Sequence, residues 1–140
     1  MDNIELGKRY DEIIDRCVSI FEAKTKDYGP TWLFFRDESF VDQLWIKARR
    51  IRTLEENGDE SLVGEGRADE YLGIVNYGII MLMRMQNPEL FPSPDTVVAD
   101  TDAYHRLGID DMKQAYLRAF ASVKALMERK NHDYGAAWTE

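Results

Sequence analysis

The sequence predicts an all-α, bundle-like protein, and three observations carry that expectation. Four segments hold apolar residues on one face at helical spacing, and no strand-like alternation persists beyond a few residues. Three of the four prolines, Pro88, Pro92 and Pro94, fall in one stretch between Gln86 and Leu107, which separates the third segment from the fourth. At 140 residues, 44% of them apolar and 31% charged, the chain suits one soluble domain with a real core.

The first helix is expected over residues 8–26, with Tyr10, Ile13, Ile14, Cys17, Ile20 and Phe21 on its buried face. Lys24 and Lys26, then Gly29 as a left-handed cap and Pro30, mark its end. The second helix is expected over 39–56, capped by Ser39, burying Val41, Leu44, Ala48 and Ile51, and stopped by Asn57-Gly58. The third, over 65–86, contains the longest apolar run, Leu72 to Met85. It reads as a helix buried on nearly every side, with Met83 and Met85 filling gaps. The fourth is expected over 110–131, with Asp110 or Asp111 as its cap.

The fourth helix repeats the first. Lys24-Thr-Lys-Asp27-Tyr28-Gly29-Pro-Thr-Trp32 returns as Lys130-Asn-His-Asp133-Tyr134-Gly135-Ala-Ala-Trp138, and Tyr10 and Glu22 return as Tyr116 and Glu128, all displaced by 106 positions. Seven identities in the 23 aligned residues, with the apolar phase kept, indicate an internal duplication. The expected organisation is a complete unit over 1–86, a proline-rich connector over 87–107, and the opening of a second unit over 108–140, packing on the first unit or on a partner chain. The second copy stops at Glu140, roughly 50 residues short of the first unit's length by repeat arithmetic. A homodimer is the expected way to pair like with like.

Charge and cysteine content exclude several classes. A net charge of −8 disfavours binding to duplex nucleic acid, whose phosphates need a basic surface. The apolar run is shorter than the ~18 residues a membrane span needs. The single Cys17 cannot form an internal disulfide, no secretory leader is visible, and a cytoplasmic location is expected. His105 and His132 are isolated and lack the spacing of metal ligands. No nucleophile triad or phosphate-binding glycine loop is present.

Three groups of residues could carry chemistry. On the third helix Glu65, Asp69 and Asn76 share a narrow arc beside Gly73, and Glu70 and Tyr77 form an adjoining stripe. Carboxylates on a buried face need a partner. Glu65, Asp69 and Glu70 could hold one Mg²⁺, or Glu65 and Asp69 could orient a catalytic water; equally, the stripe could close on lysines and arginines. The second helix offers those cations. Lys47 and Arg50 lean inward, suited to phosphate oxygens or to Glu65 and Asp69. In the motif, Gly29 and Lys24 are explained as helix-end residues, whereas Asp27, Tyr28 and Trp32 are not. Those aromatics could stack on a base, with Lys24 on phosphate, or could be the aromatic lid of a small core.

Lys24-x-x-Asp27-Tyr28-Gly29-x-x-Trp32, Lys47-x-x-Arg50-Ile51, Glu65-Gly66 and Asp69 through Asn76-Tyr77 together resemble the family called nucleotide modification associated domain 1, formerly a domain of unknown function. That family occurs in phages and bacteria, with a duplicated form in Bacteroidetes. The resemblance covers about residues 8–86 and again 114–140, and implies an association with nucleotide or base modification. More distantly, Glu70-x-x-Gly73 followed by Tyr77 is similar to the Glu-x-x-Asp helix of MazG-type all-α nucleoside triphosphate pyrophosphohydrolases. Those enzymes hold Mg²⁺ with carboxylates from two helices. This chain departs from them at Gly73 and at Lys47-x-x-Arg50, where carboxylates would stand.

Three functions follow as expectations. The first is a helical nucleotide-binding domain using Lys24, Lys47 and Arg50 on phosphate, Tyr28 or Trp32 on the base, and Asp27, Asn76 and Tyr77 in the site. The second is a divergent Mg²⁺-dependent pyrophosphohydrolase. The third is a helical module that binds a protein and performs no chemistry.

Overall fold

The computed structural model describes residues 2–58, 66–95 and 107–134, and of Tyr134 the backbone alone. Helices dominate: α1 (Asn3–Tyr28), a 3₁₀ turn (Thr31–Phe34), α2 (Asp37–Glu56), α3 (Arg67–Gln86) and α4 (Ile109–Tyr134). The chain is an all-α bundle, and among the described residues there is no strand. No described helix is long and apolar enough to cross a membrane.

Each expected helix is present, with changed limits. α1 begins five residues before the expected start because Asp2 caps it, accepting the Glu5 amide at 2.8 Å. That extra turn buries Leu6. On the predicted face Cys17 and Phe21 are buried, but Ile13 is 43% exposed. Gly29 ends α1 with φ 72°, the positive value expected. Its ψ of 177° is extended, not left-handed helical, and leads straight into Pro30.

α2 begins at Asp37, not after Ser39; Arg36 occupies the cap position without a side-chain capping bond, and Asp37 and Glu38 supply negative charge at the helix's positive end. Its buried face is also turned from the expected one. Phe40 and Ile51 face inward, whereas Val41 and Ala48 face solvent. One strong anchor decides the phase, because Phe40 has no exposed surface and packs on Tyr77 and Phe35. α3 is not buried all round. Ile79, Ile80 and Met83 are in the core, but Tyr71 and Met85 are largely exposed. In α4, Asp110 and Asp111 lie within the first turn and not at the cap.

α1 and α4 run antiparallel. Their contacts progress from Asn3 with Asn131, through Asp11 with Lys124 (2.7 Å), to Glu22 with Lys113 (3.0 Å). α3 packs across this pair, mainly on α4, and α2 packs on the far side of α3. The core sits where α1, α3 and α4 meet. Tyr116 is fully buried there, with its ring stacked 4.4 Å from that of Phe21. Its hydroxyl donates to Asn76 Oδ1 at 2.5 Å, and burial pushes that hydroxyl's pKa up. Phe91, at the start of the connector, packs edge-on against Trp32 at 5.4 Å.

Candidate functional site: a cleft between α1, the 3₁₀ turn, α2 and α3

The C-terminal end of α1 and the 3₁₀ turn stand apart from α2 and α3 and leave a cleft of about 570 Å³. That size suits a small-molecule site. One wall carries Lys24, Thr25, Tyr28 and Trp32; the floor and opposite wall carry Lys47, Asp69, Glu70, Gly73, Asn76 and Tyr77. Three sequence-distant groups therefore converge, namely the Asp-Tyr-Gly motif, the basic part of α2 and the polar stripe of α3.

Lys47 is held closely against α3. Its side chain is 17% exposed and lies across the α3 backbone at Gly73, where a Cβ would fall 2.8 Å from both Cε and Nζ. The ammonium is 3.7 Å from Glu70 Oε2 and 5.6 Å from the centre of the Tyr77 ring. Glu70, Gly73 and Tyr77 lie at helical spacing and make one seat for it. Gly73 is thus the space that the lysine occupies.

Glu70, and not Asp69, is the buried carboxylate of α3. Asp69 is exposed and turns back to accept the Gly66 amide at 3.4 Å, closing the first turn. Of the pairings expected for Lys47 and Arg50, the one with Asp69 is not formed among the described residues, and both cations approach Glu70 instead. Arg50 is 3.9 Å from Glu70 Oε1 on the solvent side and does not line the cleft. Glu65 lies outside the described residues. Glu70 Oε2 is buried without a hydrogen-bond donor, because its lysine contact is too long for a good hydrogen bond. Among the described residues no cluster of three or more His, Cys, Asp or Glu side chains is close enough to hold a metal.

The motif divides by position. Trp32 is a buried wall residue, its ring 6.0 Å from that of Phe21, with its Nε1 donor unpaired. Tyr28 is 72% exposed at the rim, a free ring face beside Lys24. Asp27 is exposed and does not line the cleft. In the second copy Asp133 is exposed and 3.4 Å from His132; Gly135 and Trp138, like His105, lie outside the described residues. Asn76 lines the floor, but both its polar atoms are engaged, its amide donating to the Leu72 carbonyl at 3.2 Å.

Arg84 is a positioning residue that sequence reasoning missed. Its Nη1 donates to the Phe35 carbonyl at 2.7 Å and the Trp32 carbonyl at 3.3 Å, and its guanidinium lies 5.1 Å from the centre of the Phe40 ring. Burial lowers its pKa, with Asp37 opposing. It ties the 3₁₀ turn to α3 and so fixes the Trp32 wall. The available signal was a lone cation inside the apolar run from Leu72 to Met85.

Fold and site together define a small all-α domain with an aromatic-walled cleft lined by two lysines, Lys24 and Lys47, and two carboxylates, Asp69 and Glu70. Residues 24–85 match the family model described as nucleotide modification associated domain 1. The match begins at Lys24 and ends before Gln86, so it spans both walls of the cleft except Ile20 and Phe21. Neither a curated protein nor a solved structure matches the chain.

Proposed function

We propose that the cleft binds a nucleotide or a related phosphorylated small molecule in a nucleotide-modification process. The observation that carries this reading is the seated ammonium of Lys47, held against Glu70, Gly73 and Tyr77 at the floor of an aromatic-walled cleft. A fixed cation with a second lysine, Lys24, across the opening suits phosphate oxygens. The exposed Tyr28 ring offers a face for a base. Glu70 Oε2 and Trp32 Nε1, on residues that line the cleft, are a buried acceptor and a buried donor without hydrogen-bond partners. The family match over both walls supports the nucleotide class.

Isothermal titration with nucleoside mono- and triphosphates, with and without Mg²⁺, tests this. Binding that Lys47→Met weakens at least tenfold is expected. Absence of binding to every natural and modified nucleotide tried would overturn it. The pyrophosphohydrolase alternative has weaker support, because Gly73 has no carboxylate and the Lys47 ammonium covers that point.

We further infer that α1 and α4 descend from a duplication. Their limits, Asn3–Tyr28 and Ile109–Tyr134, coincide after the 106-residue shift. Their contact is also reciprocal: Glu22 meets Lys113, the counterpart of Gly7, while Glu128, the counterpart of Glu22, approaches Gly7 itself.

A further inference from the structure

The outer face of α2 is used by nothing described so far. α2 packs on α3 through Phe40, Leu44, Lys47 and Ile51 and makes no comparable contact with another described helix. At 100° per residue, Glu38, Val41, Trp45, Arg49 and Arg52 share a face turned away from α3. Val41 is 55% exposed and Trp45 64% exposed, and a tryptophan ring is costly to leave in water. Glu38 and Arg52 flank this apolar centre, and neither has an ion-pair partner among the described residues.

The stripe is self-complementary. Glu38 lies seven residues before Trp45 and Arg52 seven residues after it, so both sit two turns away on the same face. A two-fold axis through Trp45 would bring Glu38 opposite the partner's Arg52 and Arg52 opposite the partner's Glu38. Val41 would then pack against the stem of the partner's Arg49. A parallel pairing would set like charges together instead. We propose that α2 is a homodimer interface, pairing antiparallel with α2 of a second copy about an axis at Trp45. The proposal is independent of the ligand assigned to the cleft.

Light scattering on the intact chain, combined with circular dichroism, tests it. The parent should run at twice 16.3 kDa, and Trp45→Glu should run at 16.3 kDa with its helix content kept. Glu38→Arg should also give a monomer, because it faces the partner's Arg52, and the double variant Glu38→Arg/Arg52→Glu should restore the dimer. A parent that stays monomeric at high concentration overturns the proposal. So does a folded Trp45→Glu dimer, or a charge swap that fails to restore pairing. The charge-reversal pair is at exposed positions, so it decides the matter even if Trp45→Glu does not fold.

Discussion

Lys47 lies across α3 at Gly73, so close that one added methyl group would fall 2.8 Å from its Cε and Nζ. The lysine's position and the missing side chain are one feature. It accounts for a glycine in mid-helix, where glycine costs about 1 kcal/mol relative to alanine.

Gly73→Ala therefore separates site from fold. The atoms in the way are the far end of a flexible side chain, which can swing out towards solvent. The helix gains its propensity term, while Glu70 loses its nearer cation. These effects oppose, so unfolding free energy should stay within about 1 kcal/mol of the parent. Nucleotide affinity should fall about tenfold or more, since the ammonium no longer points into the cleft. Paired urea melts and titrations check both. Unchanged affinity in the alanine variant would remove Lys47 from the site.

Arg84→Met tests how the wall is held. Methionine fills much of the arginine stem but donates nothing to the Phe35 carbonyl, which now accepts at 2.7 Å. Loss of a charge-assisted bond predicts about 1.5–3 kcal/mol of destabilisation in urea melts. Arg84→Lys keeps one donor and should recover part of it.

The bond between Tyr116 and Asn76 is a buried polar link between α4 and α3, beside the exposed bond from Gln86 to Ser122. Tyr116→Phe leaves Asn76 Oδ1 buried without its donor and should cost about 1–3 kcal/mol. Adding Asn76→Leu removes the orphaned acceptor, so the double variant should lose less than the sum of the singles. A double-mutant cycle by chemical denaturation measures that coupling. Additive losses would mean that the bond contributes nothing beyond packing.

The order and approximate limits of the four long helices among the described residues were legible because the apolar period is strong in all four segments. The phase of α2 was not. Val41, Leu44, Ala48 and Ile51 form as good a stripe as Phe40, Leu44, Lys47 and Ile51, and only the aromatic pocket around Phe40 selects the second. The same rotation hides the site chemistry. Glu70 takes the buried position because Lys47 crosses at Gly73, whereas Asp69 serves as a local cap, and neither fact can be read from spacing. Wheel position at the edge of the buried face did single out Lys47, whereas Arg50, placed beside it as a second inward-leaning cation, lies on the solvent side of Glu70. Arg84 escaped because its partners are backbone carbonyls, and these carry no sequence signature.

The contact between Glu22 and Lys113 makes the α1–α4 pairing sensitive to acid. Hydrogen bonds from Lys113 and then Lys26 lower the Glu22 pKa below its ordinary value. A carboxylate with a lowered folded-state pKa binds its proton more weakly in the folded chain than in the unfolded one. Its contribution is complete above the unfolded value of about 4.3 and disappears as pH falls through the lower folded value. Glu22→Gln should thus be less stable than the parent at neutral pH, by a small margin because the pair is solvent-exposed. The two proteins should converge as pH falls below the ordinary glutamate range. Thermal melts of both at neutral and acidic pH read this directly; a gap that persists into acid would assign the effect to packing and not to charge.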